Sequence, residues 1–116
     1  MRSKSELIIA EALANAGIAF EYEKPLVLDG QTRYPDFTIE DEISGRTLFW
    51  EHLGMLDRPD YRRSWEKKLA WYRTHDVMPA EEGGGVRGTL LTTRESSQAG
   101  FNAAEVQALI NRYIAL

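Results

Sequence analysis

Apolar residues recur along this chain with two periods, and the switches between them divide it into seven elements. Leu7, Ile8, Ala12, Leu13 and Ala16 fall at helical spacing, Ser3 or Ser5 can cap, and Gly17 offers a left-handed stop, which predicts a helix over residues 4–16. Residues 18–28 alternate apolar and polar up to the Asp29-Gly30 turn and read as a strand interrupted near Pro25. Residues 34–40 and 46–52 are two further strand-like runs, and the polar residues 41–45 between them predict a hairpin. Tyr61, Trp65, Leu69 and Tyr72 are spaced by four, four and three, one stripe of a helix over residues 60–75, with Pro59 in a tolerated first-turn position and Asp57 able to cap it. Residues 80–85, Ala-Glu-Glu-Gly-Gly-Gly, lack the Gly-Lys-Ser/Thr of a phosphate-binding loop and are expected to form an ordinary flexible loop. Residues 86–93 make a fourth strand, and Asn102 caps a last helix over 103–114 with Val106, Leu109, Ile110 and Tyr113 inward. Helices that interrupt a run of strands must cover the faces of the resulting sheet, so the order predicts an α/β fold, a mixed sheet flanked by helices.

Length and composition narrow this picture. At 116 residues and 43% hydrophobic, the chain suffices for one core and is too short for two, so residues 1–116 are expected to form a single domain. It has no cysteine and only two isolated histidines, which removes disulfides and thiolate zinc and leaves a hard, oxygen-liganded ion such as magnesium as the metal that suits it. No apolar run approaches the roughly 20 residues of a membrane span and the start is polar, so a cytoplasmic protein without a membrane partner is expected. A net charge of -4 speaks against coating nucleic acid by bulk electrostatics. A local basic face survives in residues 58–73, which carry four arginines and two lysines against two acids.

Two carboxylates then stand out. Asp36 heads one strand-like run and Glu51 closes the next, with fourteen residues between them. Adjacent strands that each carry an inward carboxylate can hold a divalent cation between them, an arrangement suited to cutting a phosphodiester.

The order of elements, Pro35-Asp36 on the second strand and Glu51-His-Leu53 on the third resemble the PD-(D/E)xK nuclease superfamily over nearly the whole chain. Lys68-Leu-Ala-Trp-Tyr72 looks like the Gln-x-x-x-Tyr pattern of RecB-like members, with lysine for glutamine, and Glu6 matches an acid that many such nucleases carry in their first helix. The resemblance implies a restriction-endonuclease-like α-β-β-β-α-β-α fold and a magnesium-dependent deoxyribonuclease, with manganese as a substitute ion. It makes Asp36 and Glu51 metal ligands, lets the His52 backbone carbonyl add a third oxygen, and gives Glu6 a metal-site or water-orienting part.

Leu53 departs from the pattern, because relatives carry there a lysine that orients water and stabilises developing negative charge. Lys68 is the replacement the helical spacing favours, three residues after Trp65 and four before Tyr72; Lys67 points about a third of a turn away. The other reading is a catalytically inactive nuclease-fold module that binds DNA or a protein partner. His52 as a general base is disfavoured by strand alternation, since Glu51 and its neighbour face opposite sides. Arg33, Tyr34, Arg62 and Tyr72 are expected to contact nucleic acid, although Tyr72 and Trp65 also fit core packing, and Trp71 lies off the helical stripe. The runs Arg33–Glu40, Trp50–Leu56 and Trp65–Tyr72 are similar to nuclease domains appended to bacterial superfamily-1 DNA helicases, which implies a domain taken from a longer chain and a motor that supplies the strand.

Overall fold

Strand alternation splits the apolar residues of one central strand between two cores. The computed structural model describes residues 3–95 and 100–114. Its strands are β1 (Glu21–Tyr22), β2 (Leu26–Leu28), β3 (Gln31–Arg33), β4 (Phe37–Asp41), β5 (Arg46–Leu53), β6 (Val77–Pro79) and β7 (Gly88–Arg94). Five of them form one sheet in the order β1-β4-β5-β7-β6, with β5 in the middle. β4 runs antiparallel to β1 and β5, whereas β5, β7 and β6 are parallel, so the sheet is mixed. Leu48 and Trp50 of β5, with Phe37, Ile39 and Leu91, meet Ile9, Ala10 and Leu13 of α1 (Lys4–Asn15) and Val106 of α3 (Ala103–Leu109). Phe49, Val77 and Leu90 on the other face meet Trp71 and Tyr72 of α2 (Pro59–Thr74), together with Leu26 and Leu28 of a small β2–β3 hairpin. The α/β class expected from the order of elements is thus present, as helices on both faces of a mixed sheet. Among the described residues no helix is long and apolar enough to cross a membrane.

Several element boundaries follow from local chemistry. Ser3 caps α1 by accepting the Glu6 N–H at 3.1 Å, and Gly17, at φ 75°, ends it while the Ile18 N–H returns to the Leu13 carbonyl. Asp29 and Gly30, at φ 52° and 79°, form the tight two-residue turn between Leu28 and Gln31. The Asp41 carboxylate accepts the Ile43 and Ser44 N–H groups and the Ser44 hydroxyl, which folds the loop between β4 and β5.

The structure corrects several expectations. The run 18–28 is not one strand: Glu23 takes φ 52°, and its two halves join different sheets, β1 beside β4 and β2 beside an unforeseen β3. The buried stripe of α1 is Ile9, Ala10 and Leu13 rather than the set containing Leu7, which is half exposed. β6 was not foreseen; it holds only three residues, one of them a proline, which an edge strand tolerates. The N-cap position of α2 falls on Arg58, without a side-chain cap, and not on Asp57. Within the loop 80–85, Ala80–Glu82 form a 3-10 turn, and a Cβ on Gly85 would lie 2.2 Å from the Asp76 carbonyl oxygen. The fourth strand begins at Gly88, leaving Val86 92% exposed, and the last helix widens into a π turn over Ile110–Ile114.

Gly88 lets β7 approach β5, since a Cβ there would meet the Phe49 ring at 2.4 Å. Gly88→Ala is expected to lower unfolding free energy by about 1–3 kcal/mol, the range for overpacking a core. Phe49→Leu should recover part of that loss in the double variant, measured by denaturant titration of all four proteins.

Candidate active site

The hairpin register decides how the two carboxylates meet. β4 and β5 pair Phe37 with Trp50, and one further step along the same register sets Asp36 opposite Glu51. Both line a cleft of about 250 Å³ at the end where β4 begins and β5 finishes, walled by Glu6, Leu53, Tyr61 and Lys68. The Asp36 carboxylate accepts the His52 backbone N–H at 2.7 Å. A strand residue's N–H and C=O leave the chain on the same side, so the His52 carbonyl faces that same strand end.

Glu51 is the more confined acid, its side chain only 5% exposed. Lys68 places Nζ 2.5 Å from Glu51 Oε2, and the Tyr72 hydroxyl donates to the same oxygen at 2.6 Å. Four residues apart on α2, the two side chains share one helical face. Lys68 also donates to the Tyr34 carbonyl at 3.2 Å, tying α2 to the segment that leads into β4. Glu6 heads the Ile9, Ala10 and Leu13 stripe, which turns it toward the sheet, and it accepts the Tyr22 hydroxyl at 2.5 Å. The hydroxyl of Tyr61, near the start of α2, accepts the Gly54 N–H at 3.2 Å.

The imidazole of His52 lies on the opposite face, as alternation requires. Its Nδ1 is 2.8 Å from the Thr93 hydroxyl and its Nε2 is 2.7 Å from Glu95 Oε1, an oxygen that also accepts the Ser5 hydroxyl. Those bonds, Ser5 first and then His52, hold the Glu95 carboxyl below its usual range. The ring therefore braces β5 from behind. No local signal marks Ser5, Thr93 or Glu95 for this role, because each lies far from His52 in sequence.

Burial dominates the electrostatics in the cleft. It pushes the Asp36 carboxyl up to about 7; the neighbouring Glu51 adds to this, and the His52 N–H opposes it. Burial also raises Glu51, with Lys68 pulling the other way, and it raises the Tyr72 phenol, helped by Glu51. Two repelling, desolvated carboxylates thus share a cleft with one ammonium group. Such a donor set suits magnesium, which takes one or two carboxylates and completes its shell with other oxygens. Asp36, Glu51 and the His52 carbonyl are the groups that could hold such an ion. Among the described residues no three His, Cys, Asp or Glu side chains are gathered so as to hold a metal ion by themselves.

The expected nucleic-acid contacts divide. Tyr34 is 56% exposed, and Arg33 lies with its guanidinium 5.0 Å from the centre of the Trp71 ring; both line a second cleft that shares Lys68 with the first. Arg62 reaches the Leu56 carbonyl at 3.4 Å and lines neither cleft. Tyr72 is fully buried, which corrects its assignment to nucleic acid: its hydroxyl fixes Glu51 instead. Trp71, expected off the packed stripe, is buried beneath the β2–β3 hairpin and donates to Gln31 at 2.6 Å. Leu53 is buried on the wall of the cleft. No protein-family model matches the chain, and no curated protein matches its sequence closely enough to count as a relative.

A carboxyl whose folded pKa stands at about 7 against an ordinary 3.8 binds its proton more tightly in the fold. Its charge therefore costs stability above pH 7, and that cost vanishes as pH falls toward 4. In the presence of chelator, Asp36→Asn, which keeps an acceptor for the His52 N–H, should be more stable than the parent at pH 8 by about 1–2 kcal/mol. The advantage should shrink to nothing near pH 4 in paired denaturant titrations.

Proposed function

We propose that the chain is a metal-dependent deoxyribonuclease domain of the PD-(D/E)xK kind, which hydrolyses DNA phosphodiesters and takes its missing strand lysine from α2 as Lys68. The observation that carries this reading is the 2.5 Å contact between Lys68 Nζ and Glu51 in the cleft that Asp36 also lines. A divalent ion held by Asp36, Glu51 and the His52 carbonyl would neutralise phosphate charge and lower the pKa of a water. Lys68 keeps one fixed positive charge beside that position, where it stabilises the negative charge that builds on the phosphate oxygens as water adds to phosphorus. Tyr72 holds Glu51 in one rotamer, and Asp36 is held by the His52 N–H, so neither carboxylate must reorganise during the reaction. Glu6, fixed by Tyr22, lines the same cleft and orients solvent there. A helicase partner that delivers the strand accounts for cutting DNA from a domain of net charge -4.

With magnesium or manganese the purified protein should cut DNA, and Asp36→Ala or Glu51→Ala should abolish cutting. Lys68→Met should lose at least about 100-fold in rate, the usual scale for one preorganised donor. Adding Leu53→Lys to that variant should restore tenfold or more, because position 53 lies on the wall of the same cleft. Manganese should also raise the unfolding temperature of the parent and leave Asp36→Asn unmoved, a readout independent of cleavage. Failure to cut single- or double-stranded DNA, joined to the absence of any metal-dependent stabilisation, sinks the enzyme reading in favour of an inactive module.

A further inference from the structure

Beside the acidic cleft lies a second one of about 380 Å³, lined by Thr32, Arg33, Tyr34, Ser64, Lys67 and Lys68. Its walls are the β2–β3 hairpin with the segment after it on one side and α2 on the other. Three of the six lining residues are cations and none is an acid, in a chain whose net charge is -4. Lys68 answers to Glu51, but Lys67 and Arg33 form no ion pair among the described residues. Stacking on Trp71 and a 2.9 Å bond to the Thr32 carbonyl hold the Arg33 guanidinium in place while engaging few of its five donors. Tyr34 offers a half-exposed ring on the lip of the cleft. Lys68 forms a wall of both clefts, so a chain of phosphates crossing this one would lead toward the carboxylates.

From this juxtaposition we infer that the second cleft is a subsite for one unpaired nucleotide of single-stranded nucleic acid. Arg33 and Lys67 hold the phosphate next to the reacting one, and Tyr34 stacks on its base. The inference rests on the nuclease reading of the adjoining cleft and specifies its substrate. Single-strandedness follows from Tyr34: a base can lie on an aromatic ring only when it is free of its own stack. The volume supports this as well, since it is the size of a small-ligand site and not of a groove that clasps a double helix.

The test is fluorescence anisotropy of the intact chain, in chelator so that nothing is cut, with a labelled oligothymidine and with a hairpin duplex of the same length. The single strand should bind at least about tenfold more tightly than the duplex. Tyr34→Ala should weaken it about 5- to 100-fold with little change in salt dependence, the range for one lost stack. Lys67→Gln should weaken it and reduce the salt slope by somewhat under one unit. Arg112→Gln, near the end of the chain on the other side of the sheet, should change neither. Equal affinity for the duplex, or parent-like binding by both cleft variants, overturns the subsite. The two readings separate cleanly: cutting of DNA by variants that also bind like the parent removes the subsite and keeps the nuclease. Single-strand binding lost in Tyr34→Ala and Lys67→Gln, with no cutting in manganese, keeps the subsite and removes the nuclease.

Discussion

A carboxylate on the middle strand of a five-stranded sheet must be answered by a cation or give up its charge, and the placement of α2 depends on how Glu51 is answered. Leaving such a group buried and unpaired costs roughly 3–5 kcal/mol, comparable with the whole margin of a small domain. Lys68 and Tyr72 both reach the same Glu51 oxygen, which fixes the rotation of α2 about its axis. Once that rotation is set, Trp71 turns toward the hairpin, where it packs against Arg33 and Gln31, and Ser64 comes to line both clefts. The electrostatic requirement at one atom therefore organises the helix, the hairpin that covers it and the two clefts between them.

Strong periodicity made the central hairpin, the long helix and the capped last helix legible, because each carries its own turn chemistry. The first helix shows where that reasoning stops. Leu7, Ile8, Ile9, Ala10, Ala12 and Leu13 leave hardly a polar side, so spacing alone accommodates more than one buried stripe. The rotation adopted buries Ile9, Ala10 and Leu13, and it is the one that also carries Glu6 to the cleft and Ser5 to Glu95. Short strands were invisible for a different reason: β3 and β6 hold three residues each, too few for a period, and exist because the neighbouring turns present them to a partner.

In the cleft, the legible residues are those whose chemistry is awkward for a purely structural role. An acid inside Leu48-Phe-Trp-Glu51 and a lysine beside an aromatic stripe both call for partners, and each proved to be the other's. The bracing behind His52 was not legible, since Thr93 and Glu95 are ordinary residues until β7 pairs in parallel with β5 and sets Thr93 beside His52. Tyr72 was legible in position but not in task. Its ring suits stacking as well as packing, and only the register of α2 over β5 decides that its hydroxyl turns inward to Glu51.

Leu53 is where these constraints meet. Two residues beyond Glu51 on the same strand, it shares that residue's side of the sheet, so a lysine there and a lysine on α2 approach one carboxylate from different layers. A strand lysine would be positioned by the same backbone that positions the acid, and its charge would be present whenever β5 is formed. A helix lysine is positioned by packing, through Trp71 and Tyr72 against Phe49 and Leu90 and through the bond from Lys68 to the Tyr34 carbonyl. With leucine filling the strand position, the positive charge reaches Glu51 only when α2 is docked, and the electrostatics of the cleft become a property of the tertiary fold.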